Sequence, residues 1–382
     1  MASRTRDDTQ EQHDGTGRAA ARAVLARLAN GRLAAEVLGT ATRTGVIDLL
    51  GDGARTADEV ARELDTDPGA TLRLLRALTA LGTLTETARA GTEPAGTASA
   101  ETAPGEVAHA VFALTEMGAQ LRTDLPESLH AVFRLVTDPG LVRHWEHLDD
   151  ALRTGGSTFA ATYGADIFTY LRDRPGLAAE YHAAMGGSAR QAAADVPVHY
   201  DFGRFATVVD VGGGDGTLLS AVLRAYPGTR GVLYDTAEGL ARARVRMADA
   251  GLTGRCALEP GDFFAAAPAG GDLYLLKSVL HDWDDERCGV ILRNIRRAMA
   301  DGGRLLVVET VLPPTVQGEA SAVPYLTDVN MLLTYGGRER TRAEYEALCH
   351  GAGFEVTSVT PLPAPDPYSL IEAAPAGTSP PA

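Results

Sequence analysis

The chain has 382 residues, of which 45% are hydrophobic and 22% charged, and its formal net charge at pH 7 is −15. This length exceeds what a single hydrophobic core usually serves, so we expect two domains. The acidic balance disfavours a protein that binds nucleic-acid phosphates, because these attract lysine and arginine. It is compatible with a neutral or cationic small molecule as the partner.

The three cysteines, Cys256, Cys288 and Cys349, lie far apart and form no C-x-x-C pair. An odd and scattered set disfavours a disulfide framework or a structural zinc site and is typical of the reducing cytoplasm. The polar N-terminal stretch lacks the apolar core of a secretion signal, and no apolar run is long enough for a transmembrane helix. We therefore expect a cytoplasmic protein.

Helix signals begin after a polar tail, residues 1–17, which we expect to be disordered. Apolar residues at helical spacing on both sides of Asn30 predict two helices with apolar faces. Thr56 and Glu59 form a capping-box pattern, and Asp67 precedes a proline at a second helix start. These short helices and the following "TLTETARA" predict a winged helix over residues 18–107, with the low-complexity stretch 91–106 as its wing tip.

Winged helices also occur in DNA-binding regulators, which gives one alternative function. Residues 56–85, however, carry five acidic side chains against three arginines, whereas a DNA-reading module is expected to be basic. The charge pattern therefore disfavours this alternative.

The sequence pattern changes after residue 107. Residues 108–195 are predicted to be a mostly helical connector, and from Thr207 short apolar runs alternate with amphipathic helices. Such alternation predicts an α/β domain over residues 196–375, with a mostly parallel, Rossmann-like sheet between helices. The Pro-rich residues 376–382 are expected to form a disordered tail.

A buried strand in "VVDVGGGDGT" ends in a glycine loop that contains Gly212 and Gly214. This is where nucleotide cofactors bind in parallel α/β sheets. The spacing fits neither the dinucleotide pattern G-x-G-x-x-G nor a phosphate-binding P-loop. It suits a cofactor with a nucleoside and no phosphates, the alternative being a tight turn that binds nothing.

Acidic residues follow the next two predicted strands. Asp235 ends "GVLYD", where a carboxylate can accept both ribose hydroxyls. Asp262 in "PGDFF" can accept from an adenine amine, and Phe263 can cover the ring. Each acid alone is more often a turn or helix-cap residue, but the ordered series of strand ends predicts a nucleoside site.

Five segments in order carry a family resemblance: "VDVGGGDGT", "GDFF", "LLKSVLHDWDDE", "ETVLP" and "GGRERT". With them the chain resembles the S-adenosylmethionine-dependent O-methyltransferases over about residues 19–373. More closely, it resembles the group that includes plant caffeic acid O-methyltransferase and bacterial methyltransferases of aromatic antibiotics. It implies a class I methyltransferase sheet, an N-terminal winged-helix dimerisation domain, S-adenosylmethionine as cofactor, a homodimer, and transfer to a hydroxyl of an aromatic secondary metabolite.

The resemblance also implies the catalytic residues. His281, just past a buried strand, corresponds to the proton acceptor, and a histidine has a pKa suited to assist a phenol. Glu309, at the end of the predicted strand "RLLVVE", and Glu339, in "GGRERT", correspond to the acids that orient it. The non-catalytic alternatives are that His281 is a helix-start residue and that Glu339 is a solvated charge in a loop. Asp284, Asp285 and Glu286 are assigned to the start of the next helix. Some antibiotic-pathway relatives lack this histidine and perform other chemistry such as hydroxylation, which is the alternative function.

Further contacts follow from the same resemblance. Lys277 and Ser278 correspond to a strand end that contacts the cofactor. Met185 corresponds to a methionine that lines the substrate or methionine pocket, the alternative being ordinary helix core. Asp282 is also assigned to the substrate side. Apart from the resemblance, Trp145, Phe159 and Phe168 are candidate walls of the acceptor pocket, and core packing is expected for at least one of them. His144 and His147 flank Trp145 without an apparent third ligand, so no metal site is predicted.

Overall fold

The computed structural model describes residues 18–88, 110–125, 127–316, 322–364 and 367–377. The predicted N-terminal tail, the wing tip and residues 378–382 lie outside the described residues. The chain divides into two compact units, residues 1–142 with 179–184 and residues 143–178 with 185–382. The domain boundaries drawn from the sequence stay a prediction.

The first unit combines helices with a small antiparallel sheet. The strands are β1 (Ala54–Thr56), β2 (Leu84–Ala88) and β3 (Ala110–Leu114), in the order β1-β3-β2. The helices are α1 (18–29), α2 (Gly31–Thr44), α3 (Val46–Leu50), α4 (Ala57–Leu64), α5 (Pro68–Ala80), α6 (Glu116–Ala119) and α7 (His130–Val136).

The helix starts follow the capping signals of the sequence. The Thr56 hydroxyl accepts from the Glu59 amide at 3.2 Å, and the Glu59 carboxylate accepts from the Thr56 amide at 2.8 Å. The Asp67 carboxylate accepts from the Ala70 amide at 2.7 Å, with a proline at the first turn of α5. Both predicted caps are thus confirmed, and each provides partners for helix-start amides that otherwise have none.

Strand β3 differs from the prediction, because it lies in the segment expected to be mostly helical. Its sequence, AVFAL, is a short apolar run without alternation, which periodicity cannot distinguish from a helix. It pairs with both β1 and β2, and Phe112 at its centre is fully buried. Long-range pairing therefore decides its conformation.

The second unit contains an eight-stranded sheet. Its strands are β4 (Thr207–Val211), β5 (Arg230–Asp235), β6 (Cys256–Pro260), β7 (Leu273–Lys277), β8 (Arg304–Leu312), β9 (Arg340–Thr341), β10 (Phe354–Pro361) and β11 (Tyr368–Pro375). From residue 148 onward the helices are α8 (Leu148–Thr154), α9 (Phe159–Tyr163), α10 (Ile167–Arg172), α11 (Pro175–His199), α12 (Thr217–Ala225), α13 (Ala243–Asp249), α14 (Asp285–Ala298), α15 (Val323–Thr334) and α16 (Arg342–Gly351).

The strand order is β6-β5-β4-β7-β8-β11-β10, and β9 pairs with β8. Strands β4 to β9 pair in parallel, whereas β11 and β10 are antiparallel. From β4 the chain builds first to one side through β5 and then to the other through β7. The carboxyl ends of β4 and β7 therefore flank the point where the strand order reverses, which is where ligands bind in such sheets.

Hydrophobic clusters cover both faces of this sheet. Val209, Leu275, Leu276 and Val307 are fully buried, which agrees with the nearly continuous apolar sequences of β4, β7 and β8. Asn294 of α14 donates its amide to the carbonyls of residues 263 and 264, at 3.0 and 2.9 Å. This contact fixes the loop after β6.

In the parts of the chain that the structure describes, none of the helices combines the length and apolarity needed to cross a membrane.

Replacing the capping hydroxyl in Thr56→Ala leaves the Glu59 amide without its acceptor. We expect the free energy of unfolding to fall by about 1 kcal/mol. Urea denaturation followed by far-ultraviolet circular dichroism, at one protein concentration, measures this. Thr56→Ser keeps the hydroxyl and is the control; equal midpoints for Thr56→Ala and the wild type would contradict the role of the cap.

Candidate active site

The glycine loop after β4 meets the acid at the end of β5. Gly212 and Gly214 have φ angles of 73° and 58°, in the left-handed region that favours glycine. The Gly214 amide donates to Asp235 Oδ2 at 2.8 Å, and nothing lies within 4 Å of the position that a Cβ of Gly214 would take. The structure thus brings together a predicted loop residue and a predicted acid beside open space.

Asp210, at the penultimate position of β4, is a candidate that the sequence reasoning missed. It is 2% exposed, and its Oδ2 atom has no hydrogen-bond partner among the described residues. Burial, together with the charge of Asp235, raises the pKa of Asp210 to about 7 despite the opposing charge of Lys277. A carboxyl group within the otherwise apolar run "TVVDV" was the available signal.

Residues after β6 form the next part of the crevice. Asp262 lies two residues past the strand end, and its carboxylate accepts from the Phe264 amide at 2.8 Å. The Phe263 ring lies 3.7 Å from where a Cβ of Gly212 would stand, and its centroid is 4.9 Å from that of Phe264. Phe263 therefore borders the glycine loop, and its role in covering an adenine ring stays a prediction.

The end of β7 carries a cation and a strained serine. Lys277 Nζ donates to Ser188 Oγ at 3.0 Å and lies 4.7 Å from the centroid of the Tyr368 ring. Ser278 has a φ of 52°, unusual for a residue other than glycine, and its hydroxyl donates to the Tyr368 hydroxyl at 3.1 Å. Strain of this kind persists where surrounding contacts impose it and often marks functional sites.

His281 lies in a short helical turn, Leu280–Asp282, two residues beyond the end of β7. Its Nδ1 atom is 3.1 Å from Glu339 Oε1 and 3.7 Å from Glu309 Oε2. Its Nε2 atom is 3.5 Å from Asp282 Oδ1. With Nδ1–H donating to Glu339, the neutral ring keeps a lone pair on Nε2. The three predicted catalytic residues therefore form one cluster.

Glu309 supports this cluster from inside β8 and not from the strand end, because the strand continues to Leu312. It is fully buried, and Oε1 accepts from the amides of Val279 and Leu280 at 2.9 Å each. Oε2 has no hydrogen-bond partner among the described residues. One oxygen thus holds the backbone that leads to His281 while the other faces the imidazole.

The neighbouring acidic side chains strongly shift the pKa of His281. Burial lowers the pKa of His281, but the charges of Glu309, Asp282 and Glu339, with the hydrogen bond to Glu339, outweigh burial and raise this pKa to about 10. Burial also raises the pKa of Asp282 to about 7, since the neighbouring Glu309 and Glu339 add to it and His281 only partly opposes it. The imidazole is therefore a stronger base than an ordinary histidine.

The residues assigned to the substrate side differ in exposure. Asp282 is partly buried beside His281, while Met185 and Trp145 are 43% and 37% exposed. Phe159 is fully buried, and its ring packs against those of His144, Tyr163 and Tyr170. Phe159 therefore packs in the core, as was expected of at least one aromatic residue. The exposed Phe168 lies 5.9 Å from both Trp283 and Tyr335, measured between ring centroids.

The catalytic cluster also contains side chains that could act as metal ligands. Donor atoms of His281, Glu309 and Glu339 lie within 4.8 Å of one another, close enough for one cation. However, His281 and Glu339 already use two of these donors in a hydrogen bond with each other. His144 is buried against the Thr334 hydroxyl at 3.0 Å, and His147 is 3.3 Å from an Asp150 oxygen, so the two histidines have separate partners. The absence of a metal site stays a prediction.

Comparisons with known proteins give a consistent result. Residues 145–355 match a family model described as an O-methyltransferase domain, and residues 26–121 match one described as an O-methyltransferase dimerisation domain. The chain is 45% identical to O-demethylpuromycin-O-methyltransferase of Streptomyces alboniger, over 90% of this chain and 87% of that protein.

Solved structures agree. The chain matches the structure of the mitomycin 7-O-methyltransferase MmcR with a TM-score of 0.83 at 32% identity, over 95% of this chain and 100% of that one. It also matches NcsB1, an O-methyltransferase from neocarzinostatin biosynthesis in complex with S-adenosylmethionine and 2-hydroxy-5-methyl naphthoic acid. Here the TM-score is 0.73 and the identity 30%, over 89% of this chain and 95% of that one. Because the chain matches the family models of both the O-methyltransferase domain and the dimerisation domain, it belongs to the O-methyltransferase family.

Proposed function

We propose that this enzyme transfers the methyl group of S-adenosylmethionine to a hydroxyl of an aromatic secondary metabolite, with His281 as the general base. The observation that carries the proposal is the cluster of His281 with the buried Glu309 and Glu339. Val279, two residues before His281, packs against Gly212 of the glycine loop. The aromatic acceptors named for the relatives support the acceptor class.

The residues of the crevice fit the cofactor. An open space at Gly214 beside Asp235 suits a ribose, and Asp262 with Phe263 suits the adenine. The unpartnered Oδ2 of Asp210 suits an ammonium or hydroxyl donor, while Lys277 and Ser278 complete the strand-end contacts. When bound, S-adenosylmethionine supplies an electrophilic methyl group on a sulfonium that leaves as a thioether.

The protein's own residues then act on the acceptor. A phenol with a pKa of about 10 is mostly protonated at neutral pH and is a poor nucleophile. Nε2 of neutral His281 takes the hydroxyl proton, while Nδ1–H remains bonded to Glu339. Glu309 stabilises the imidazolium that forms, because its charge lies 3.7 Å from Nδ1. Base assistance of this kind contributes about 10²–10⁴-fold in rate.

The raised pKa of His281 has a kinetic consequence. An imidazole with a pKa of about 10 matches a phenol of similar pKa, so proton transfer between them is nearly balanced. The neutral imidazole is scarce at pH 7, so the base becomes available as the pH rises.

The enzyme acts as a homodimer through its dimerisation domain. The exposed apolar side chains Val24, Leu25, Leu28 and Leu33 on α1 and α2 support a partner surface there. A cytoplasmic location is supported by the three cysteines, which are buried and unpaired.

The base assignment predicts that His281→Ala lowers kcat by about 10²–10⁴-fold. Turnover is measured with methyl-labelled S-adenosylmethionine on an acceptor found by screening aromatic hydroxyl compounds, starting from O-demethylpuromycin and 2-hydroxy-5-methyl naphthoic acid. Affinity for S-adenosylhomocysteine is expected to stay near the wild-type value. His350→Ala removes an exposed histidine and is the matched control. Wild-type turnover by His281→Ala would refute the base assignment.

The electrostatics predict a pH effect of known sign. Because only neutral His281 accepts the proton, kcat/KM is expected to rise with pH through a limb above the ordinary histidine pKa of about 6.5. Glu339→Gln removes one of the charges that raise the pKa of His281, so the limb is expected to move to lower pH. Initial rates between pH 6 and 10 measure this. Superimposable profiles for the two proteins would count against the assigned role of Glu339.

The cofactor assignment predicts that Asp235→Ala weakens the binding of S-adenosylhomocysteine by about ten- to a hundredfold. The substitution removes the acceptor for ribose hydroxyls and also the acceptor for the Gly214 amide. Titration calorimetry measures the affinity. Asp249→Ala removes an exposed carboxylate elsewhere in the unit and controls for net charge. An unchanged affinity in folded Asp235→Ala would overturn the assignment.

A further inference from the structure

A buried arginine joins two segments at the candidate base. Residues 280–283, here called the histidine turn, follow β7, and residues 337–340 precede and enter β9. Arg340, at the end of the second segment, is fully buried. It lies next in sequence to Glu339, whose carboxylate contacts His281.

The Arg340 guanidinium donates hydrogen bonds to both ends of the histidine turn. One terminal nitrogen donates to the Leu280 carbonyl at 2.8 Å, and the other donates to the Trp283 carbonyl at 2.8 Å. Nε and the second terminal nitrogen both donate to Asp285 Oδ1, at 3.0 and 2.8 Å. The bonds thus hold both ends of the turn, the residue before His281 and the second residue after it.

Gly337 packs against the same turn from another direction. A Cβ added at this position would lie 2.1 Å from the His281 carbonyl oxygen and 2.4 Å from the Asp282 carbonyl carbon. It would also lie 2.6 Å from the Trp283 amide nitrogen. All three are backbone atoms, so no side-chain rotation relieves the clash. Only glycine lets the two backbones approach this closely.

The proposed function gives this contact its purpose, because a base must be held close to its productive geometry. We infer that Gly337 and Arg340 are positioning residues that lock the histidine turn, and thereby fix the His281 imidazole against Glu339. Lysine cannot replace the arginine here, since one ammonium cannot reach two carbonyls and a carboxylate in a planar fork. Asp285, assigned from the sequence to the helix start, also anchors the guanidinium.

The first test measures the imidazole itself and needs no acceptor. In protein labelled with ¹⁵N-histidine, nuclear magnetic resonance titration follows the ring of His281, identified by the signal lost in His281→Ala. Arg340→Lys is expected to move the pKa of His281 down toward the ordinary value, because the contact with Glu339 loosens. A residue with only a general stabilising role would lower the melting temperature and leave this pKa unchanged.

The second test measures turnover with labelled S-adenosylmethionine on the screened acceptor. Arg340→Lys is expected to lower kcat about ten- to a hundredfold, because displacement by about 1 Å can have an effect of this size. Affinity for S-adenosylhomocysteine should remain within about twofold. Arg338→Gln is the control: like Arg340, Arg338 pairs with Asp285, but among the described residues its side chain forms ion pairs with Asp285 and Glu344 and not with the histidine turn. It is expected to keep the wild-type pKa and kcat.

A folded Arg340→Lys with wild-type kcat and an unchanged pKa of His281 would overturn the inference. If Arg340→Lys does not fold, Gly337→Ala applies the same test, with the same lower pKa and lower kcat expected and the same contrary result decisive. The His281→Ala background separates this inference from the proposed function. Wild-type turnover by His281→Ala defeats the base assignment, whereas an equal additional loss from Arg340→Lys in both backgrounds defeats the positioning role.

Discussion

The parallel pairing of β4 with β7 is the constraint on which the site depends. Asp210 of β4 lies opposite Leu275 of β7, so the two strands end side by side. The glycine loop leaves one strand and the histidine turn leaves the other. Because the helices that follow lie on the faces of the sheet, the space between these two exits remains open to a ligand. A cofactor loop and a proton acceptor that are distant in sequence thereby become neighbours.

Charge balance is the second determinant of the site. Four carboxyl groups, those of Asp210, Asp282, Glu309 and Glu339, are buried or nearly so. His281 lies beside three of them, Asp282, Glu309 and Glu339, while the charge of Lys277 acts on Asp210 and Asp282. Burial raises the pKa values of Asp282 and Glu309, and the charges of Asp282, Glu309 and Glu339 together stabilise the imidazolium of His281. The histidine is thus best understood as one member of a coupled group, whose proton affinity depends on all its neighbours.

Much of this arrangement could be predicted from the sequence. Residues at strand ends carry a recognisable pattern, so the assignment of Gly214 and Asp235 to one cofactor site followed from motif order. The grouping of His281 with two glutamates followed from the family resemblance. Buried charges with distant backbone partners carry no such pattern. Arg340 stands among exposed-looking charges in "GGRERT", and its partners at Leu280 and Trp283 are identifiable only once the chain is folded. Strand β3 was missed for a related reason, since its pairing partners, not its own periodicity, determine its conformation.

Trp283 contacts both the loop after β6 and the buried Arg340, so its fluorescence can report on the candidate active site. Its carbonyl is bonded to Arg340, and its ring lies 4.8 Å from that of Phe264 and 6.3 Å from that of Phe263, measured between centroids. The Arg287 guanidinium lies 4.7 Å from the ring centre. The chain contains only two tryptophans, and the other, Trp145, is 37% exposed. Indole emission from the partly buried Trp283 ring therefore depends on the packing of both the loop after β6 and the histidine turn. Replacing Trp145 with phenylalanine would isolate that signal, so that rearrangements around the crevice could be followed in real time without an added dye.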